Sequence, residues 1–237
     1  GIQISHGSIT LLIELLCFQL VTCLYGLGSL FMIYFRVFQV DNRVLFLAAI
    51  GIAVGVGMSV FLVFAIFSRK ISALLVRFLI GVVERLPFLS RERKTRFEIA
   101  ALEQFEEYGA CGCVMKKNGK AFLKVFVTVG LQLGFQFAIA ALAYLTLGQS
   151  GAFFGTLIMM QALVFLCTSF VPLPGAAGVA EAVFLTVFAS VYASGLAGVA
   201  MILTRGVAFY VPVFLCGSFI AVYVVLSRIP AGRLRSI

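Results

Sequence analysis

The sequence predicts an all-α fold, a polytopic bundle of transmembrane helices with a re-entrant helical hairpin that is broken by proline and glycine. Three observations predict it. Of the 237 residues, 62% are hydrophobic and 11% are charged, with a mean hydropathy of +1.15, whereas soluble domains are about 45–50% apolar and about 25% charged. Four apolar stretches reach the roughly 20 residues that a bilayer-spanning helix needs. A fifth is interrupted at Pro172 and Pro174.

The predicted elements divide the chain into three parts. Residues 1–68 hold a first pair of transmembrane helices, residues 69–124 a basic region with little continuous apolar sequence, and residues 125–237 the remaining spans. The individual spans are predicted at residues 9–35, 44–67, 125–147 and 206–226. The broken stretch, 152–193, predicts two helices, and the second, 179–193, would be about 22 Å long at 1.5 Å per residue. That is shorter than the hydrocarbon core of about 30 Å, so the second helix is predicted to re-enter the membrane rather than cross it.

The distribution of basic residues predicts the orientation. Twelve of the 18 lysines and arginines lie between residues 69 and 124, and three more lie after residue 227. By the positive-inside rule, this central region and the C-terminus are cytoplasmic. Residues 71–88 are typical of a helix lying in the membrane interface, and residues 97–108 of a short amphipathic helix. The formal net charge of +9 is therefore expected to attract anionic lipid, and no nucleic-acid partner is expected.

Several kinds of chemistry are not expected. Only Gly112 separates Cys111 from Cys113, which is too close for the usual zinc-ligand spacing, and the single histidine, His6, is far away in sequence. No phosphate-binding loop or nucleophile elbow is present. We therefore expect no disulfide, no metal, no cofactor and no enzymatic activity in this chain.

The proline-glycine break is the first candidate site. Pro172 and Pro174 would end one helix, and the next would begin inside the membrane with unsatisfied amide groups that suit an anion such as a phosphate. Glu181 would lie in its first two turns, and Arg205 is the matching base. Because unpaired charges are costly in lipid, Glu181 and Arg205 are predicted to lie within reach of each other. The alternative is that they form a purely structural pair and that the break is a tight turn at the membrane surface.

Four further polar residues are candidates for lining a cavity: Glu14, Gln132, Gln136 and Tyr144. Polar side chains within spans are functional candidates. Glu14 could instead lie near the interface, and the glutamines could simply bond neighbouring helices. Gly51 and Gly55 form a GxxxG pattern that predicts close helix packing.

Two C-terminal motifs resemble a known family. The strings FVPLPGAAGVAEAVFLTVF (170–188) and TRGVAFYVPVFLCG (204–217) are similar to the membrane region of the lysylphosphatidylglycerol synthase/flippase family. Two further stretches look like the same family: ELLCFQLVTCLYG (14–26) and EQFEEYGACGCVMKKN (103–118). Here the turn reads Gly175-Ala176-Ala177-Gly178, and Phe209 stands where a tyrosine is common.

The resemblance implies a domain that moves aminoacylated or anionic phospholipids between leaflets of a bacterial plasma membrane. It implies these substrate-binding residues: Pro172, Pro174, Gly175, Gly178, Glu181, Arg205 and Tyr210. The lipid phosphate would lie near Gly175 to Gly178 with Arg205 as counter-charge. Family members carry an earlier set of spans and a soluble aminoacyl-transferase domain, so this chain is expected to be a fragment without lysyl-transfer activity.

Phospholipids and the membrane are therefore the expected partners, and self-association is left open. The alternative hypothesis is a membrane scaffold that binds a partner and transports nothing, in which Glu181 and Arg205 only hold helices together.

Overall fold

The computed structural model describes residues 4–67, 118–193 and 195–228, and every regular element within these ranges is a helix. Three long helices come first along the described part of the chain: α1 (Ile4–Tyr34), α2 (Asn42–Phe67) and α3 (Gly119–Thr146). Two short helices follow, α4 (Phe154–Thr168) and α5 (Val179–Phe188). The described part of the chain ends with α6 (Leu196–Arg205), a π-helical turn (Gly206–Tyr210) and α7 (Val211–Arg228). The all-α prediction is confirmed.

Four helical segments are long and apolar enough to cross a membrane: Thr10–Tyr34, Asn42–Phe64, Gly119–Thr146 and Leu196–Val224. The predicted start of the fourth span at residue 206 is wrong. The helical segment begins ten residues earlier, at Leu196, and continues without a gap past Arg205 to Val224. A charged residue inside a span is costly, so the sequence pattern predicts the boundary of the apolar segment at Arg205. In the structure Arg205 is paired with Glu181, and the helical segment continues on both sides of it.

The short helices α4 and α5 lie on either side of the predicted break. They contain 15 and 10 residues, which corresponds to about 22 Å and about 15 Å at 1.5 Å per residue. Neither reaches the roughly 30 Å of a hydrocarbon core. α5 ends at Phe188, earlier than the predicted end at residue 193. The two helices pack against each other, and their re-entrant placement in the bilayer stays a prediction.

α4 lies at the centre of the bundle, in contact with α1, α2, α3 and α5. Its buried side chains include Leu157, Met160 and Leu163, which are at most 1% exposed. α2 approaches it closely at Gly51, where an added Cβ would come within 2.5 Å of the Leu166 carbonyl oxygen. Gly55, one turn further on, faces α1 instead, with the Cys23 sulfur 2.9 Å from the same hypothetical atom. The GxxxG pattern therefore packs α2 against two helices.

Hydrogen bonds between helices supplement this packing. The buried Ser29 hydroxyl on α1 donates to the Met159 carbonyl of α4 at 2.7 Å. The Tyr25 hydroxyl donates to the Gly130 carbonyl of α3 at 3.0 Å. Such bonds between spans are typical of membrane bundles, where water is not available to replace them.

Several predictions fall on residues outside the described ranges. They are the interfacial helix at 71–88, the amphipathic helix at 97–108 and the Cys111–Cys113 pair. The cytoplasmic placement of residues 69–124 and of the C-terminus also stays a prediction. Lys120, which the sequence placed in the cytoplasmic region, lies in the first turn of α3.

Candidate functional site

The connection between α4 and α5 is a compact turn held in conformations that favour glycine. The chain is extended at Leu173 and then forms a single 3-10 turn, Pro174–Ala176. Gly175 and Gly178 have φ of 64° and 86°, and Ala176 has φ of 49°. Glycine adopts such values without the penalty that a Cβ imposes. The prolines stop α4 from continuing, and the glycines allow the chain to turn directly into α5.

An ion pair joins this turn to α6. Nη2 of Arg205 lies 2.8 Å from Oε1 of Glu181, and the two side chains are 18% and 25% exposed. The predicted proximity of Glu181 and Arg205 is confirmed. The guanidinium also donates to the carbonyl oxygen of Gly175, with both Nη1 and Nη2 at 2.9 Å. Arg205 therefore binds both the turn and the first part of α5.

The second carboxylate oxygen of Glu181 has a separate partner. Oε2 accepts a hydrogen bond from the backbone N–H of Gly178, the residue immediately before α5 begins. A carboxylate in this position satisfies one of the free amides at a helix N-terminus and complements the positive end of the helix dipole. The sequence had suggested that a ligand phosphate binds at this helix end. In the structure, the Gly178 amide already donates its hydrogen bond to the carboxylate of Glu181.

Phe209 completes the contacts around Gly175. Its ring centroid lies 5.9 Å from Cζ of Arg205, within cation-π range. A Cβ added to Gly175 would come within 2.8 Å of the Phe209 ring. The absence of a side chain at Gly175 therefore lets the aromatic ring lie directly against the turn.

The π-helical turn positions Phe209. The backbone N–H of Val211 donates to the carbonyl of Gly206, five residues earlier, rather than to the usual carbonyl four residues earlier. Pro212 follows immediately, and in a regular α-helix its ring would collide with the carbonyl of Ala208. A π-helical turn is one of the arrangements that accommodates such a disturbance. Ala208 and Phe209, both in this turn, line an adjacent cavity.

A cavity of about 350 Å³ lies beside this network. It is bounded by residues of α1, α3, α4, α5 and α6 together with the turn and the π-helical segment. Most of the lining is apolar, as in typical small-molecule sites, which measure about 300–1,000 Å³. The polar lining side chains are Gln136, Gln161, Thr168, Ser169, Thr204 and Arg205.

The residues predicted for the turn fall into two groups. Gly175, Gly178, Glu181 and Arg205 are joined by the bonds described above. Pro172 is exposed, and Pro174 begins the 3-10 turn. Tyr210 is 57% exposed and contacts the Phe209 ring, but it does not line the cavity.

The four candidate cavity-lining residues do not meet. Gln136 lines the cavity, whereas Glu14 and Gln132 are exposed on α1 and α3 and lie outside its lining. Tyr144 is 2% exposed and packs in the core, where its hydroxyl donates to the Ser150 carbonyl at 2.9 Å. Tyr144 is therefore a core residue in this fold.

Gln161 and Thr204 were not selected from the sequence, yet both line the cavity. The signal for Gln161 was present, since it interrupts the apolar run of α4 just as Gln136 interrupts α3. Thr204 directly precedes Arg205, but threonine is common in helices, and only the packing distinguishes this one.

Comparison with known proteins gives one family. The model of the family described as "Lysylphosphatidylglycerol synthase TM region" matches residues 1–216. A search of curated proteins and a search of solved structures gave no match. The matched range includes α1 to α6, the turn, the ion pair and the π-helical segment.

Proposed function

The chain belongs to the lysylphosphatidylglycerol synthase transmembrane-region family, and from that membership and the site geometry we propose that it moves phospholipids between membrane leaflets. Membership and the four apolar helices make it a multi-pass membrane protein. The proposed substrates are anionic or aminoacylated phospholipids. The proposed activity is transport without a chemical change to the lipid.

The observation that carries this proposal is a cavity among apolar helices whose wall includes six polar side chains, one of them an arginine. A phospholipid headgroup cannot cross hydrocarbon without compensation for its lost hydration. A cavity of about 350 Å³ is large enough for a headgroup, while the acyl chains would remain in the bilayer.

Arg205 is the proposed contact for the lipid phosphate. Guanidinium groups bind phosphate oxygens through paired hydrogen bonds. In the structure, these donors are directed at Gly175 and Glu181. A phosphate would therefore compete with Glu181 for Arg205. The amide of Gly178 contributes less, because it already donates to Glu181.

The ion pair also suits an aminoacylated headgroup. Breaking a partly buried pair leaves two charges that are incompletely solvated, which is destabilising. A headgroup that carries both a phosphate and an ammonium could separate Arg205 from Glu181 and give each a new partner. We propose this exchange as the step that opens the contact between the turn and α6, with the ion pair restored when the lipid leaves.

Transfer assays with reconstituted vesicles test the proposal. Glu181→Gln and Arg205→Ala are each expected to reduce transfer of a labelled phospholipid to the rate of protein-free vesicles. Arg43→Ala is the matched control, because Arg43 is exposed at the start of α2. Wild-type rates in either folded site variant would refute the proposal.

One observation favours the alternative, a structural scaffold. The bonds from Arg205 to the turn and to Glu181 hold α5 against α6, as a purely structural lock would. A scaffold needs no hydrated cavity, so the two hypotheses differ in solvent access.

Cysteine labelling separates them. In a background without native cysteines, Ala208→Cys, in the cavity wall, should react with a water-soluble thiol reagent if lipid headgroups pass this way. Ala200→Cys, on the same span and 0% exposed, should not react. Equal protection of both positions would favour the scaffold.

A further inference from the structure

The side chains of Gln161 and Thr204 both line the cavity, and in the described structure Oε1 of Gln161 and Oγ1 of Thr204 are buried without a hydrogen-bond partner. They come from α4 and α6, which precede and follow the turn along the chain. Thr204 is only 2% exposed. Buried polar atoms are nearly always paired, and within a membrane there is little water to compensate for a missing partner. Two cavity-lining residues that each hold such an atom indicate a place for a polar ligand.

Thr204 differs from four other threonines in the helices that the structure describes. The hydroxyls of Thr22, Thr146, Thr168 and Thr186 each donate to the carbonyl four residues earlier, at 2.8, 2.7, 3.0 and 2.8 Å. This local bond is the usual way in which a threonine satisfies its hydroxyl within a helix. The Thr204 hydroxyl does not make it. Its bonding capacity therefore remains for a group outside its own helix.

The two atoms require a particular ligand chemistry. An amide oxygen such as Oε1 of Gln161 only accepts hydrogen bonds, and a threonine hydroxyl both donates and accepts. Arg205, the charged residue among the lining residues, is already engaged by Gly175 and Glu181. A ligand that satisfies Gln161 must therefore carry its own N–H or O–H donor.

We infer that Gln161 and Thr204 form a headgroup-recognition site that selects phospholipids whose headgroups carry hydrogen-bond donors, namely hydroxyl or ammonium N–H groups. A trimethylammonium headgroup has no such donor and would leave Oε1 of Gln161 unsatisfied. This inference rests on the proposed function, since it concerns the part of the lipid beyond the phosphate. Arg205 would bind any phospholipid, whereas Gln161 and Thr204 would distinguish among them.

The test compares lipids that differ in donor count at constant charge. Phosphatidylethanolamine, its N,N-dimethyl derivative and phosphatidylcholine are all zwitterions with the same phosphate, with three, one and no N–H donors. The dimethyl lipid is close in size to phosphatidylcholine, so it separates donor count from bulk. Transfer in vesicles and retention of each lipid by the purified protein in native mass spectrometry are measured in parallel.

The wild-type protein is expected to transfer and retain the two lipids with N–H donors more strongly than phosphatidylcholine. One hydrogen bond from a charged ammonium donor corresponds to a preference of about 10- to 150-fold. Thr204→Val and Gln161→Met keep the side-chain volume but remove the polar atom, so each should reduce the preference, and the double variant should abolish it. Thr204→Ser, which keeps the hydroxyl, should retain the lipid preference.

The outcomes distinguish this inference from the proposed function. Transfer of all three lipids at equal rates, with equal retention, would overturn the inference and leave lipid transport intact. Selective retention without any transfer would support the recognition site and refute transport. Undiminished preference in the folded double variant would overturn the assignment to Gln161 and Thr204. The wild-type comparison alone decides the matter if a variant fails to fold.

Discussion

Arg205 directs both Nη groups at the carbonyl oxygen of Gly175, 2.9 Å from each, while Nη2 also contacts Glu181. One side chain thus binds a backbone atom in the turn and a carboxylate in the helix that follows it. The turn, the start of α5 and the end of α6 are coupled through this single guanidinium.

The first prediction concerns the ion pair itself. Arg205→Ala and Glu181→Ala should each lower the free energy of unfolding by about 2–3 kcal/mol. This is below the 3–5 kcal/mol expected for a fully buried pair, because the side chains retain 18% and 25% of their exposure. The double variant should lose less than the sum of the single losses by about 1 kcal/mol or more. Unfolding in detergent measures the cycle, and strictly additive losses would contradict a direct pair.

The second prediction concerns Gly175. Gly175→Ala should destabilise the protein by more than 1–2 kcal/mol, the approximate cost of a left-handed conformation alone, because the added Cβ also meets the Phe209 ring at 2.8 Å. Gly178→Ala should show only the backbone cost, since no atom lies within 4 Å of its added Cβ. Adding Phe209→Ala to Gly175→Ala should recover part of the loss. Thermal unfolding of the four proteins decides whether the contact with Phe209 matters.

The third prediction tests the glycine contacts of α2. Gly51→Ala should cost about 1–3 kcal/mol, in the range of overpacked cores, because its Cβ would meet a backbone oxygen of α4 that cannot rotate away. Gly57→Ala is the matched control on the same helix, with no atom within 4 Å of its added Cβ. Alanine is the better helix former, so the control should be neutral or stabilising. A similar melting temperature for both variants would argue against close α2–α4 packing.

The fourth prediction isolates one hydrogen bond between spans. Tyr25→Phe removes the donor to the Gly130 carbonyl and should lower the free energy of unfolding by about 0.6 kcal/mol, with about 1.7 kcal/mol as an upper value. Tyr34→Phe is the control, because Tyr34 is 82% exposed at the end of α1. Equal effects of the two substitutions would mean that the hydroxyl of Tyr25 contributes nothing beyond the ring.

The position of the break and the partner of Glu181 could be predicted from the sequence for simple physical reasons. Proline and glycine act locally, so the end of α4 and the turn before α5 follow from residues 172–178 alone. An unpaired charge among apolar helices is costly, and Arg205 was the base nearest to Glu181 in the C-terminal half of the sequence. Neither prediction required knowledge of how the helices pack.

The polar residues of the cavity wall could not be predicted in the same way. Gln132 and Gln136 are one turn apart on α3, yet only Gln136 faces the cavity, because the direction of the helix relative to its neighbours decides which of them does. Tyr144 resembled a cavity residue in sequence and lies in the core. Thr204 is distinguished because its hydroxyl makes no hydrogen bond to its own helix, which the sequence does not reveal.

Because of the π-helical turn, one helical wheel cannot represent the whole of the last span. Each residue of an α-helix is rotated by about 100° from the one before it. The hydrogen bond from the Val211 N–H to the Gly206 carbonyl spans five residues and changes this rotation midway along the span. The part before the turn buries Ala200 and Thr204, whereas every side chain described from Val211 to Val224 is exposed. A single wheel through residues 196–224 would therefore mix two unrelated faces, and substitutions chosen from it would be assigned to the wrong environment.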